Sequence, residues 1–75
     1  MWILSGYEPG DDDPAFEREL PSLTTDEVRA VIDETGVHPW NGTWPVEGEL
    51  LALVRKHAPK GLGLERRECL LEWRD

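Results

Sequence analysis

The chain has 75 residues, a formal net charge of -8 and one cysteine. A domain of this length buries only about 60% of its unfolded surface, which excludes a second core and predicts a single domain over residues 1–75. One cysteine excludes an internal disulfide. The sequence shows no signal peptide and no apolar run of the ~20 residues needed to span a membrane. We therefore expect a complete, soluble, cytoplasmic protein.

The charge is unevenly distributed along the chain. Residues 1 to 50 carry twelve acidic and two basic side chains, whereas residues 51 to 75 carry four acidic and six basic ones. An acidic field of this kind disfavours the phosphate backbone of nucleic acids and favours cationic partners. Solubility alone is an equally good explanation for a net charge of this size.

Residues 2 to 8 predict a first strand, because Trp, Ile and Tyr favour extended backbone. Their alternation places Trp2 and Leu4 on one face and Ile3 on the other, and Gly6 is a candidate position for a bulge. We expect this strand to lie in the centre of a sheet.

A tight loop and a second strand follow. Residues 9 to 14 combine two prolines, a glycine and three aspartates, a composition typical of chain reversal. Residues 16 to 20 alternate apolar and charged side chains, which predicts a strand with Phe16 and Leu20 directed inward. The strand ends at Pro21, which lacks the backbone N–H needed to continue a ladder.

A first helix has the clearest start signal in the chain. Thr24 is a typical N-cap, Glu27 at the third helical position completes a capping box, and Leu23 with Val28 forms a hydrophobic staple. We expect this helix to end near Thr35, before a glycine.

The second half of the chain predicts one more helix and one more strand. Residues 37 to 45 contain two prolines and an Asn-Gly pair, which predicts an irregular connection. Residues 47 to 57 show an apolar stripe at helical spacing, and residues 64 to 74 alternate in the manner of a strand. The predicted fold is α+β with the order ββααβ: a three-stranded, mainly antiparallel sheet with two helices on one face.

Two histidines and a cysteine are the candidates for catalysis, but each has a structural explanation. Cys69 lies on the apolar face of a predicted strand, His57 lies in the last turn of a helix and His38 precedes a proline in a loop. An enzyme or metal protein would require all three to meet a carboxylate in one cleft. We therefore predict no enzymatic activity, no catalytic residue and no cofactor.

The three consecutive aspartates do not have the spacing of a calcium-binding loop, so we predict a solvated turn there and no metal site. Four tryptophans are unusual in so short a chain. Trp40 and Trp44 either fold back over a small core or stand at the surface as anchors for a partner. The sequence leaves these two placements open.

The chain contains, in order, a strand, a Phe-x-x-x-Leu-Pro strand, a capped helix, a Trp-Pro connection, a second helix and a Cys-Leu-Leu-Glu-Trp strand. This succession resembles small acidic bacterial proteins of unknown function. Some of these resemble immunity proteins of polymorphic toxin systems. The resemblance covers nearly the whole chain and depends on pattern and size. It implies an inhibitor that masks a basic toxin, and it transfers no functional residue.

The leading hypothesis is a non-enzymatic protein-binding module, and its most concrete form is an immunity or antitoxin-type inhibitor. We expect its partner to be a basic protein, and we expect it to bind neither nucleic acid nor a membrane. The predicted partner-binding residues supply charge and aromatic anchors: Asp11, Asp12, Asp13, Glu17, Asp33, Glu34, Trp40 and Trp44. The alternative is a structural or homo-oligomeric accessory protein that pairs through the outer face of its sheet or an edge strand. The first hypothesis predicts a monomer and the second a weak homodimer.

Overall fold

A computed structural model of the protein describes residues 1–35 and 42–74. The two parts contain these elements in chain order: strand β1 (Trp2–Tyr7), strand β2 (Phe16–Glu19), helix α1 (Thr25–Thr35), strand β3 (Thr43–Pro45), helix α2 (Gly48–His57) and strand β4 (Glu68–Trp73). The α+β class is confirmed. The order ββααβ is not, because a further strand lies between the two helices.

The sheet has four antiparallel strands in the order β2-β1-β4-β3, so the prediction of three strands was wrong. The additional strand, β3, lies in the predicted connection and places Trp44 opposite Leu71. Three residues are too few to show alternation, and Pro45 indicated a break. A proline is nevertheless tolerated in β3 because this strand is at the edge of the sheet, where the missing N–H disrupts no second ladder.

The prediction that the first strand is central is confirmed. Strand β1 pairs with β2 on one side and with β4 on the other. The pairing runs without interruption from Trp2 to Tyr7, so no bulge occurs at Gly6. The glycine is required for another reason: a Cβ atom at this position would lie 2.5 Å from Cζ of Phe16, whose ring lies over the strand.

The hydrophobic core lies between one face of the sheet and both helices. Its buried side chains come from all these elements and from the adjoining turns: Trp2, Leu4, Leu20, Leu23, Val28, Val46, Leu50, Val54, Cys69 and Leu71. Leu4 is opposite Leu71 in the β1–β4 ladder, and Trp2 and Cys69 lie two residues from them along the same strands, which places all four on a common face. The opposite face of the sheet is called the outer face below.

The capping residues position helix α1 as predicted. The backbone N–H of Glu27 donates to Oγ1 of Thr24 at 3.2 Å, and the Thr24 hydroxyl donates to Oε1 of Glu27 at 3.1 Å. Helix α2 also agrees with the prediction to within one residue. Strand β4 begins four residues later than predicted, since Arg66 N–H donates to the Gly63 carbonyl oxygen at 3.0 Å and closes a turn before it.

Three tryptophans of the described part form one aromatic group. Trp2 is buried and lies edge-on to Trp44 and Trp73, with ring centroids 5.6 and 5.4 Å apart. The indole N–H of Trp2 donates to Oγ1 of Thr25 at 3.3 Å. Trp44 is half-buried against the core, and its buried Nε1 has no hydrogen-bond partner among the described residues.

The indole N–H of Trp2 is hydrogen-bonded and that of Trp44 is not, which predicts that Trp44→Phe is tolerated better than Trp2→Phe. The first substitution removes an unsatisfied buried donor, whose cost is about 1–3 kcal/mol, and this gain offsets the apolar area that is lost. The second breaks the bond to Thr25 and leaves space in the core. Urea unfolding of both variants measures the effect, and an equal loss of stability in the two would show that the Trp44 indole N–H is satisfied.

Candidate functional site

The loop between β1 and β2 presents three aspartates to solvent. Asp11, Asp12 and Asp13 are all exposed. The backbone holds the loop closed through bonds from Asp11 N–H to the Glu8 carbonyl oxygen at 3.0 Å and from Ala15 N–H to the Gly6 carbonyl oxygen at 2.6 Å. Within residues 1–35 and 42–74, none of the three carboxylates forms an ion pair.

The outer face of the sheet carries four further acidic side chains. Glu17 and Glu19 lie on β2, and Glu68 and Glu72 lie on β4, on either side of β1. Ile3 of β1 is directly between Glu19 and Glu72 in the ladders. Together with the loop, these side chains form what we call the acidic face: Asp11, Asp12, Asp13, Glu17, Glu19, Glu68 and Glu72.

Arg74 is the basic side chain that connects the two edges of the acidic face. Its guanidinium pairs with Oε2 of Glu17 at 2.8 Å and also with Glu72. Hydrogen bonds to Glu72 and then to Glu17 raise the pKa of Arg74 above its ordinary value. The pair with Glu17 joins the end of β4 to β2 across β1, and Ile3 on β1 is only 6% exposed although it lies on the outer face. With seven acids and one base, the surface retains a net charge of -6.

The structure brings together only part of the predicted partner-binding set. Asp11, Asp12, Asp13 and Glu17 belong to one hairpin. Asp33 is exposed on α1, in the helical layer. The remaining residues of the set differ in their positions: Trp44 packs against the core, while the side chain of Glu34 and the whole of Trp40 lie outside the described residues.

Sequence reasoning missed the contribution of the last strand to the acidic face. Glu19, Glu68, Glu72 and Arg74 were not predicted to bind a partner. The alternation of residues 64 to 74 does place Glu68, Glu72 and Arg74 on one side of a strand. Their proximity to Glu19 depends on β4 pairing with β1, and no local pattern specifies that pairing.

A separate polar chain links the two helices. The Ser22 hydroxyl lies 2.7 Å from Nδ1 of His57, and Nε2 of His57 lies 2.8 Å from Oε2 of Glu27. When a hydroxyl, an imidazole and a carboxylate are hydrogen-bonded in this order, the hydroxyl can be activated as a nucleophile. The concavities at the α2–β4 connection, beside Pro45 and Cys69, and beside Glu8 and Gly63 are lined by other residues, however. We therefore assign Ser22, His57 and Glu27 a structural role in joining the start of α1 to the end of α2.

This role predicts an acid-dependent effect of Glu27→Gln. The hydrogen bond with His57, followed by bonds from Thr24, lowers the pKa of Glu27 below its ordinary value. A lowered pKa in the folded state means that the carboxylate stabilises the fold above its unfolded pKa of about 4.3, and that this contribution is lost as pH falls through the folded pKa. Wild type should therefore be more stable than the variant at about pH 6, and the difference should shrink by about pH 3.

Thermal unfolding at both pH values measures this difference, with Glu49→Gln as the control because Glu49 is exposed in the first turn of α2. A difference between wild type and Glu27→Gln that stays constant across the pH range would contradict the assigned role.

Cys69 has the surroundings of a core residue. It is 4% exposed, and its Sγ faces the carbonyl oxygens of Arg67 at 3.7 Å and Leu64 at 4.0 Å. Burial raises the pKa of the thiol above its ordinary value, so the reactive thiolate is disfavoured at neutral pH. Of the two histidines, His57 is bonded to Ser22 and Glu27, and His38 lies outside the described residues.

In residues 1–35 and 42–74, no three His, Cys, Asp or Glu side chains are grouped so that they could hold a metal ion. No helix of the same residues has the length and apolar composition needed to cross a membrane.

The functional inference depends on the geometry and charge of the chain itself. A comparison with models of protein families, with curated proteins and with solved structures finds no match. The resemblance to immunity proteins stays a prediction that rests on sequence pattern alone.

Proposed function

We propose that the protein is a non-enzymatic binding module whose acidic face engages a basic protein. The observation that carries this proposal is a set of seven acidic side chains in the β1–β2 loop and on the outward sides of β2 and β4, with Arg74 as the compensating base. Carboxylates without internal partners keep their charge and accelerate the encounter with a cationic surface.

Apolar side chains at the centre of the same surface supply contact area. Tyr7 and Leu70 are half-buried on the outer face, opposite Glu68 and Ser5 in the β1–β4 ladder. Tyrosine is enriched among the residues that dominate binding energy, and a charged rim around an apolar centre is the usual anatomy of a protein interface. The acidic face therefore offers both steering by charge and an apolar centre for contact.

The most concrete form of this proposal is an immunity or antitoxin-type inhibitor. Such a protein covers the active site of a cationic toxin and carries out no reaction. The size of the chain, its acidity and the sequence pattern described above support this form. We propose that it acts in the cytoplasm, the location predicted from the sequence.

The alternative of a homo-oligomer joined through sheet edges has less support. Strand β2 has four residues and presents Glu17, Arg18 and Glu19, while β3 has three residues and includes Pro45. Short edges that carry charges or proline resist pairing with another strand. We therefore propose a monomer that binds a different protein.

Affinity capture from a lysate of the source organism tests the proposal, at low and at high salt. We expect a basic protein to be retained by wild type at low salt and lost with Asp11→Asn/Asp12→Asn/Asp13→Asn, because this variant removes three charges of the acidic face. The matched control is Asp26→Asn/Asp33→Asn/Glu49→Gln, which removes three charges from the helices. Equal loss of the partner with both variants, or no basic partner at all, would contradict the proposal.

A further inference from the structure

A concave surface of opposite charge lies at the connection between α2 and β4. Residues 58 to 66 curl around an open cavity of about 640 Å³ that Arg55 also lines. Its floor includes Leu62 and Leu64, which are half-buried and pack against the hydrophobic core. The charged residues of the lining are three bases and one acid, in a protein whose net charge is -8: Arg55, Lys60, Arg66 and Glu65.

Two of the arginines near this cavity are occupied by internal contacts. Arg55 pairs with Glu65 across the connection. Arg67 donates from Nε to Oε1 of Glu8 at 2.6 Å and also bonds to the Leu62 carbonyl oxygen. These contacts fix the shape of the connection and attach it to the β1–β2 hairpin.

Two other bases of the cavity have no such contact. Lys60 and Arg66 are exposed, and neither has an ion-pair partner within residues 1–35 and 42–74. Basic residues in the last turn of a helix are explained by the negative end of its dipole, and this accounts for Arg55. The same explanation does not apply to Lys60 and Arg66, because both follow the end of α2 at His57.

Gly63 determines how closely a ligand can approach Arg66. It adopts a positive φ of 65°, and a Cβ atom there would lie 3.8 Å from Nη2 of Arg66 and 3.3 Å from Nη1 of Arg67. The glycine thus leaves space beside both guanidinium groups. A planar guanidinium with free N–H groups binds two oxygens of a phosphate at once, and a nearby ammonium adds a point charge.

We propose that this cavity binds the phosphate group of a small molecule, with Arg66 and Lys60 as the ligands of the phosphate oxygens and Leu62 and Leu64 in contact with an apolar part of the molecule. A nucleic acid is disfavoured, because the acidic face would repel a long phosphate backbone. The site is distinct from the acidic face and does not depend on the function proposed for it.

Titration with sodium pyrophosphate, followed by amide chemical shifts at constant ionic strength, tests this site. We expect saturable shifts of the Gly61 and Gly63 amides in wild type. Arg66→Gln should weaken binding about tenfold or more, since it removes a charge-assisted bidentate contact. Because Arg66 is exposed and has no internal partner among the described residues, the variant should keep the thermal midpoint of wild type.

Arg18→Gln is the matched control, because Arg18 is an exposed base on β2 that does not line the cavity. It should bind pyrophosphate as wild type does. The proposal is overturned if the shifts do not saturate, if they occur away from residues 58 to 66, or if the Arg18 and Arg66 variants weaken binding equally, which would indicate a general effect of charge. Titration with sodium acetate distinguishes a site for phosphate from a site for carboxylate. Acetate binding as tight as that of pyrophosphate would overturn a site for phosphate.

Discussion

Replacing Leu71 by alanine should remove a large part of the stability of the protein. Leu71 is fully buried at the centre of the sheet, where it lies opposite Leu4 on β1 and Trp44 on β3. Truncation of a buried leucine costs about 2–5 kcal/mol, because apolar contacts are lost and a cavity remains. A domain of this size has about 4–11 kcal/mol in total, so the loss is a large fraction of the free energy of unfolding.

Urea unfolding followed by tryptophan fluorescence measures this loss. Leu70→Ala is the matched control on the same strand, because the adjacent side chain points to the outer face and is only half-buried. We expect it to cost about 1 kcal/mol. A similar loss in the two variants would contradict the assignment of Leu71 to the core and Leu70 to the outer face.

The second large effect is expected for Gly6→Ala. A methyl group at this position would overlap the Phe16 ring, which also lies 5.7 Å below the guanidinium of Arg67. The ring can move only by losing its contacts with β1 and Arg67. We expect a loss of about 3 kcal/mol, at the upper end of the range for overpacked sites.

A double-mutant cycle separates this steric cause from a general intolerance of alanine in the strand. Phe16→Ala removes the ring, so Gly6→Ala should cost much less in that background than in wild type. Unfolding midpoints of the four proteins give the coupling energy. Equal costs in the two backgrounds would show that the ring does not determine the need for glycine.

Local chemistry made part of the fold predictable. The Thr24 cap and its bond to Glu27 locate the start of α1. An apolar stripe with an acidic residue in its first turn and basic residues in its last turn locates α2. Strand β3 was not predictable by the same means, because its three residues are stabilised by pairing with β4 and by the contact of Trp44 with Trp2. These are long-range contacts, and a window of sequence around residue 44 does not contain them.

The candidate site was predictable to a similar degree. The aspartates of the hairpin loop are a local feature, and Glu17 belongs to the strand that follows them. The contribution of Glu68 and Glu72 depends on the register of β4 against β1. Asp33 was grouped with them because it is acidic, yet helix α1 carries it into the other layer. Net charge therefore led to the kind of partner that we propose, and the strand order determines which acidic residues lie on the outer face.

Hydrogen–deuterium exchange of the protein with its captured basic partner tests the central claim most directly. We predict slower exchange in the β1–β2 hairpin and in β4 on binding, with no change in α1 and α2, because the acidic face is built on the former elements. Slower exchange confined to the helices, with the hairpin unchanged, would show that the partner binds elsewhere and would contradict the proposed role of the acidic face.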